Sequence, residues 1–159
     1  MRFVLIHGGF HGAWCWTRVV PELEKLGHEA VAIDLPGHGE RRDESSLLHE
    51  RAGAIVEAMK GGDILVGHSG GGYDISAAAD MAPDKVGHLI YLAAGLPIEG
   101  KPLFVASGGA SEQQGGGEGI QKLNETIPSS AHRVTELGRL ELVDKEVGRH
   151  LFYHDCDDA

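Results

Sequence analysis

The stretch that decides the fold is residues 63–71, DILVGHSGG. Its first half is a short apolar run typical of a buried strand, and a helical pattern follows it to about Met81. Between the two lies the motif Gly67-x-Ser69-x-Gly71. A serine on a sharp strand-to-helix turn needs small residues two positions to either side, because the strand and the helix otherwise collide. The motif therefore predicts an exposed Ser69 hydroxyl at a helix N-terminus, where free N–H groups favour developing negative charge.

Apolar segments of the same kind recur on both sides of this stretch. Strands are predicted at residues 2–7, 30–35, 63–67 and 86–93, and helices at residues 16–26, 48–60 and from Ser69 to Met81. Apolar strands that do not alternate with polar residues indicate a parallel sheet that is covered on both faces. The predicted fold class is therefore α/β, a parallel sheet with helices on both faces.

The last third of the sequence has a different texture. Residues 107–119, SGGASEQQGGGEG, are glycine-rich and predict a flexible loop. Residues 131–153 regain apolar spacing and predict a helix with a break near Gly138. No further strand is expected. We therefore divide the chain into residues 1–96 and residues 97–159.

Composition and charge exclude several classes of protein. The 159 residues include 14 Lys and Arg against 24 Asp and Glu, a formal net charge of −10. This acidic balance argues against nucleic-acid binding, which needs a basic stripe. No apolar run approaches the length of a membrane span. Two cysteines are too few for a disulfide framework, and the N-terminus enters a strand without a secretory signal. A cytoplasmic protein is expected.

The first strand ends in a second glycine motif, residues 7–12, HGGFHG. In a parallel sheet this loop emerges at the same edge as Ser69. The backbone N–H groups of Gly9 and Gly70 are then placed to hold an oxyanion. His7 and His11 are interpreted as turn residues that stiffen the loop through hydrogen bonds. A metal site at these histidines is disfavoured, because no third ligand lies nearby in sequence.

Histidines and carboxylates near the end of the sequence raise a second metal hypothesis. His150-x-x-x-His154, followed by Asp155 and Cys156, has a spacing that could hold a metal. A solvated polar helix end is the favoured interpretation, because structural metal ligands usually come in sets of four with paired spacing. No metal and no cofactor are predicted for this chain.

Four segments together resemble a known group of enzymes. They are HGGFHGAW at 7–14, DLPGHG at 34–39, LVGHSGGG at 65–72 and LFYHDC at 151–156. The chain resembles the α/β-hydrolase superfamily, and within it the small esterases related to plant methylesterases and hydroxynitrile lyases. The resemblance implies the N-terminal part of an α/β-hydrolase core at residues 1–96 and part of a cap at residues 97–159.

The resemblance also implies a mechanism and a substrate class. It makes Ser69 the nucleophile of a carboxylic ester hydrolase that works through an acyl-enzyme, with Gly9 and Gly70 as the oxyanion hole. Phe10 and His68 are predicted to belong to the substrate pocket. Apolar residues there favour a small, uncharged ester as the partner molecule.

Two departures from the family pattern keep alternatives open. The family places the acid and the histidine of its triad beyond the cap, and this sequence ends within what resembles the cap. An inactive remnant that binds a ligand or a partner is therefore the second hypothesis. A hydroxynitrile lyase is less favoured, because Gly8 stands where those enzymes carry threonine. The strand at 86–93 is expected to have an exposed, unpaired edge, which predicts self-association.

Overall fold

The computed structural model describes residues 1–100, 127–134 and 140–156 of the chain. The chain divides into two compact units, Met1–Ser107 and Gly108–Ala159. The loop predicted at 107–119 lies outside the described residues. The predicted boundary between residues 96 and 97 stays a prediction.

The first unit alternates strands with helices. Its strands are β1 (Arg2–Ile6), β2 (Glu29–Ile33), β3 (Asp63–His68) and β4 (Val86–Leu92), and its helices are α1 (Val19–Lys25), α2 (Leu48–Ala58) and α3 (Gly71–Met81). Every strand pair is parallel and the spatial order is β2-β1-β3-β4. The predicted parallel α/β sheet is confirmed. Because β1 and β3 are neighbours, the loops at their carboxyl ends emerge side by side.

Helices cover both faces of this sheet, as predicted. Successive side chains of a strand point to opposite faces. Val4 and Ile6 of β1 belong to one buried cluster, which also contains residues of α2 and α3. Leu5 belongs to a second cluster with Trp16, and Val20 and Leu23 of α1 pack against that cluster.

The first predicted helix is shorter than expected. Residues 13–16 form a separate 3-10 turn, and α1 begins only at Val19. The predicted stop is confirmed, because Gly27 follows the helix with a φ of +82°, a left-handed conformation that favours glycine.

Among the strands that the structure describes, β4 lies at one edge of the sheet, next to β3 alone. Ile90 and Leu92 keep 43% and 48% of their surface exposed. An edge strand with apolar side chains and unpaired backbone groups is a template for association. The exposed apolar edge predicted for this segment is confirmed, and self-association stays a prediction.

The second unit corrects the helix predicted over residues 131–153. It contains β5 (His132–Val134), β6 (Leu140–Leu142) and α4 (Lys145–Tyr153). The two strands pair antiparallel, and Arg133 forms an ion pair with Glu141 directly opposite, with 2.9 Å between Nη2 and Oε2. The predicted helix is confirmed at residues 145–153. The prediction was wrong at residues 132–134 and 140–142, which form strands, because short apolar spacing fits both periods.

The helix in this unit begins at a side-chain cap. The Asp144 carboxylate accepts hydrogen bonds from the backbone N–H groups of Glu146 and Val147. Such a cap satisfies donors that have no partner inside the helix, so it explains where α4 starts. In the described part of the chain, no helix is long and apolar enough to cross a membrane.

Candidate active site

Ser69 occupies a strained turn between β3 and α3. Its φ of +53° lies in the left-handed region that non-glycine residues rarely adopt. A Cβ at Gly67 would lie 2.5 Å from the Gly71 carbonyl oxygen, and one at Gly71 would lie 2.8 Å from the His7 carbonyl oxygen. Glycine is therefore required at both positions of the motif. The predicted strand–turn–helix arrangement is confirmed, and the strain is of the kind that active sites store.

The turn is also bonded to the end of β4. The Ser69 N–H donates to the Leu92 carbonyl at 3.3 Å, and the Ser69 carbonyl accepts from the Gly95 N–H at 2.9 Å. These two bonds fix the backbone of Ser69 through its N–H group and through its carbonyl group. The position of its hydroxyl therefore depends on β3, on α3 and on the segment after β4.

The loop after β1 approaches Ser69 closely. A Cβ at Gly8 would lie 2.8 Å from the Ser69 Cβ and 3.2 Å from the His68 Nδ1. Only a residue without a side chain leaves this space free. Phe10, two residues further along, has a φ of +63°. The loop is thus a second strained segment, and it lies directly against the first.

Two backbone amides, those of Gly9 and Gly70, lie near this contact. A Cβ at Gly70 would lie 4.0 Å from the Gly9 nitrogen, and a Cβ at Gly9 would have no neighbour within 4 Å. Neither amide donates a hydrogen bond to an acceptor within the described part of the chain. Gly70 immediately precedes α3, where N–H groups have no partner inside the helix. Both amides can therefore donate to a negatively charged oxygen.

His7 fixes the loop after β1 through hydrogen bonds at both of its ring nitrogens. The Leu35 N–H donates to His7 Nε2 at 3.2 Å, so the proton is on Nδ1, which donates to the Gly8 carbonyl at 2.8 Å. Burial lowers the pKa of His7 to about 4, and the side chain is 1% exposed. A buried, neutral imidazole with both nitrogens bonded stiffens the turn, as predicted.

His11 has the other stiffening role in this loop. Its Nδ1 lies 2.7 Å from the Gly9 carbonyl oxygen, and its ring stacks on that of Trp14 with 5.2 Å between centroids. The interpretation of His11 as a turn residue is confirmed. Within the described residues, no group of three His, Cys, Asp or Glu side chains is placed to hold a metal ion.

Asp34 ties the loop to the end of β2, a role that sequence reasoning missed. One carboxylate oxygen accepts from the Ala13 N–H at 2.6 Å and the other from the Glu40 N–H at 3.1 Å. A Cβ at Gly12 would lie 2.6 Å from the same carboxylate, and one at Gly39 would overlap it. In the sequence, Asp34 stands only before the glycine-containing turn at residues 36–39. Its bond to Ala13 can be recognised only once the two loops are known to meet.

An open cavity of about 620 Å³ borders Ser69. It is lined by Ser69, Gly70, Tyr73, Ala93, Ala94, Gly95 and Leu96. Two predicted site residues, Ser69 and Gly70, therefore lie together at this cavity. Tyr73 and the segment after β4 are lining residues that the sequence analysis did not identify. Phe10 and His68 are not among the lining residues, and their part in a substrate pocket stays a prediction.

His68 is the last residue of β3 and immediately precedes Ser69. Its ring centroid is 6.5 Å from those of Trp16 and His11. Burial, with a smaller contribution from His11, lowers the pKa of His68. A side chain in these surroundings favours the neutral imidazole. Its contacts connect β3 to the loop after β1.

The Ser69 hydroxyl has no base bonded to it in the described residues. All ten histidines of the sequence fall within those residues. None of them, and no carboxylate there, forms a hydrogen bond with Ser69 Oγ. The described residues therefore bring together the Ser69 turn and the backbone amides of Gly9 and Gly70, and none of the described imidazoles or carboxylates is bonded to Ser69 Oγ.

Comparison with protein families gives one match over nearly the whole chain. Residues 3–157 match the pattern of the family described as "Alpha/beta hydrolase family". The described parallel sheet is the N-terminal part of that fold.

Individual relatives agree with this match. The chain is 38% identical over 113 residues to Esterase PIR7B of Oryza sativa subsp. japonica, which covers 65% of this chain and 42% of that protein. It is 40% identical over 114 residues to Methylesterase 7 of Arabidopsis thaliana, covering 65% and 44%. Among solved structures, a pyrethroid hydrolase, PytH, superposes with a TM-score of 0.72 at 30% identity, covering 100% of this chain and 63% of that one. The chain matches less than half the length of these curated relatives.

Proposed function

The chain belongs to the alpha/beta hydrolase family, and on that premise we propose that it supplies the nucleophile and the oxyanion hole of a serine ester hydrolase. The observation that carries the proposal is the turn at Ser69. This residue has a φ of +53° at the carboxyl end of β3 and borders the open cavity. Backbone strain at a serine that borders a cavity, next to N–H groups without an acceptor in the described residues, is typical of the turn that presents a nucleophilic serine. Esterases among the similar proteins support ester chemistry.

The proposed reaction is acyl transfer in two steps. Ser69 Oγ attacks the ester carbonyl carbon while its proton passes to a general base, and the carbonyl oxygen becomes an oxyanion held by the N–H groups of Gly9 and Gly70. Collapse of this intermediate breaks the bond to the alcohol, which leaves with the proton. Water then attacks the acyl-enzyme in the same way, so that the acid is released and the Ser69 hydroxyl is restored.

The general base and the acid that orients it are proposed to come from outside the described residues. The support is the absence, within those residues, of an imidazole or carboxylate bonded to Ser69 Oγ. A serine without a positioned base is a weak nucleophile at neutral pH, although an oxyanion hole alone retains some rate enhancement. We therefore expect slow chemistry at Ser69 in this chain, which a small exogenous base accelerates.

The proposed substrate is a small, uncharged ester. Apart from Ser69 and Tyr73, the described side chains that line the cavity are apolar, those of Ala93, Ala94 and Leu96. Such a surface favours an apolar acyl or alcohol group. Two further residues are proposed to belong to the substrate pocket. They are Phe10, in the loop after β1, and His68, the last residue of β3.

One alternative is a chain that binds a ligand or a partner without turnover, and the missing base favours it. A hydroxynitrile lyase is disfavoured by Gly8. A side chain at that position would lie 2.8 Å from the Ser69 Cβ, so the threonine of those enzymes does not fit the present loop without a backbone shift.

Self-association through β4 is the proposed partner interaction. The support is the edge position of β4 and the exposure of Ile90 and Leu92. Two such edges can pair through their free backbone groups and bury these side chains.

Binding of phenylboronic acid tests the proposed nucleophile without requiring turnover. Serine adds to the boron atom and gives a tetrahedral anion, which the two N–H groups would stabilise. We expect a tetrahedral boron signal in the ¹¹B NMR spectrum of the chain and none with Ser69→Ala. The same trigonal signal for both proteins would contradict the proposal.

A further inference from the structure

Tyr73 lies in the first turn of α3, beside the nucleophile. Its ring rests on Gly95, and a Cβ at Gly95 would overlap both Cζ and Oη of the tyrosine. The Gly95 N–H donates to the Ser69 carbonyl at 2.9 Å. The glycine that makes room for the ring is therefore bonded to the residue that carries the nucleophile. Tyr73 and Gly95 form one wall of the cavity at Ser69.

The Tyr73 hydroxyl is buried and has no hydrogen-bond partner within the described part of the chain. Tyr91 provides the contrast, because its Oη lies 2.7 Å from Ser76 Oγ, which itself donates to the Gly72 carbonyl. Buried hydroxyls in folded proteins are nearly always paired, since an unpaired one is destabilising. An unpaired phenol in the wall of a cavity therefore points to an acceptor that a ligand brings.

The surroundings of this hydroxyl limit what the ligand can be. Among the described residues, the other lining side chains, apart from Ser69, are apolar, and none of them is charged. A charged ligand would lose its hydration without compensation. A neutral ligand that offers one oxygen acceptor would satisfy the phenol and leave the apolar walls in contact with its carbon atoms.

We propose that Tyr73 is a specificity-determining residue, whose hydroxyl donates a hydrogen bond to an ether oxygen in the acyl chain of a neutral ester bound next to Ser69. The proposal rests on the proposed function, because it assigns the ligand of the same cavity. It also gives Gly95 a role, because this glycine leaves the space that the Tyr73 ring occupies. Any larger residue there would displace the ring that carries the donor.

Binding of a matched set of esters to the Ser69→Ala chain tests this assignment. The set is methyl hexanoate and three ethers of the same length, methyl propoxyacetate, methyl ethoxypropanoate and methyl methoxybutanoate. Each ether replaces one methylene by oxygen, so the acceptor is moved along the chain. NMR titration gives the dissociation constants, and no turnover interferes because the nucleophile is absent.

We expect one ether to bind about three- to tenfold more tightly than methyl hexanoate, the effect of one neutral hydrogen bond. Adding Tyr73→Phe should abolish this preference, while Tyr91→Phe in the same Ser69→Ala background should retain it. Tyr73→Phe should also leave the melting temperature unchanged or raise it, because it removes an unpaired group.

Three results would overturn the proposal: no saturable binding of any ester, equal affinities for all four, or a preference that survives Tyr73→Phe. The test is separate from the boronate experiment. A lost boronate signal with an intact ether preference would reject the nucleophile and keep the Tyr73 assignment. A boronate signal without an ether preference would do the reverse.

Discussion

The two strands that flank β3 differ in how deeply they are buried and in how many contacts fix the residues around Ser69. On one side is β1, whose Val4, Leu5 and Ile6 are fully buried and whose loop is fixed by hydrogen bonds to the end of β2. On the other side is β4, which exposes Ile90 and Leu92 and, within the described part of the chain, pairs with β3 alone. Positions on the β1 side are therefore determined by contacts inside the described chain. The β4 side presents apolar surface that remains to be covered.

This difference separates two parts of the proposed chemistry. The proposed nucleophile and oxyanion donors lie where β1, β3 and α3 meet, and glycine contacts leave these residues little freedom. The cavity opens along the residues that follow β4, where Tyr73 and Gly95 form one wall. The proposed oxyanion site therefore lies on the tightly packed side, and the proposed contact between Tyr73 and the substrate lies on the more open side.

Gly67→Ala should have the largest effect on the free energy of unfolding, because it adds a methyl group to the tightly packed turn at Ser69. The new methyl group would lie 2.5 Å from the Gly71 carbonyl oxygen, and backbone cannot move aside cheaply. We expect a loss of about 3 kcal/mol or more in the free energy of unfolding, measured by urea denaturation.

Gly53→Ala is the matched control for this change. Gly53 lies within α2, and a Cβ there meets nothing within 4 Å. It should gain up to about 1 kcal/mol from helix propensity. Similar losses for both variants would contradict the role assigned to the turn.

The pH dependence of stability should report the buried His7. Because its folded-state pKa is depressed from 6.5 to about 4, the unfolded state binds the proton more tightly. Its contribution to stability is complete above pH 6.5 and is lost as the pH falls towards 4. The loss across this window is about 3 kcal/mol.

Unfolding free energies of the wild type and His7→Gln, compared at several pH values, isolate this contribution. The difference between the two proteins should shrink as the pH falls through the window. His49→Gln, at an exposed position, should keep the wild-type pH dependence. A pH-independent difference between wild type and His7→Gln would rule out the buried neutral imidazole.

Asp34→Ala should make the loop after β1 less rigid and leave the turn at Ser69 intact. It removes the acceptor of the Ala13 and Glu40 amides, which costs about 2 kcal/mol when such groups lose their partner. The boronate signal should weaken as well, because the loop carries Gly9. Asp80→Ala, on an exposed position of α3, should change neither quantity. Unchanged boronate binding in Asp34→Ala would show that the loop keeps its place without the carboxylate.

Ile90→Lys should have the smallest effect on stability and act on the open side alone. The side chain is 43% exposed, so the change in unfolding free energy should stay within about 0.5 kcal/mol. Sedimentation velocity should show association of the wild type and a monomer for the variant, since charge on an edge strand blocks pairing. Met81→Lys, exposed at the end of α3, should associate like the wild type. A monomeric wild type would exclude the β4 interface.

The sequence predicted those features that depend on nearby residues. The turn at Ser69 is set by glycines two positions away, and the parallel sheet by apolar runs of the right length. Both were correct. Gly27 likewise marked the end of α1 because a left-handed residue there is a local requirement.

Features that depend on distant partners were missed. Asp34 acts on Ala13, 21 residues away, and nothing in the sequence around it announces that contact. The unpaired hydroxyl of Tyr73 becomes visible only when the helix and the segment after β4 are placed together. The strands β5 and β6 were assigned to a helix because apolar spacing over a few residues does not distinguish the two periods.

Intact mass after treatment with a fluorophosphonate, with and without added imidazole, shows whether the Ser69 hydroxyl reacts as a nucleophile. We predict a single adduct that forms slowly, forms faster with imidazole as a surrogate base, and is absent in Ser69→Ala. Ser69 would then be a nucleophile with a working oxyanion hole that lacks its base. No adduct even with imidazole, or an adduct that persists in Ser69→Ala, would contradict the account.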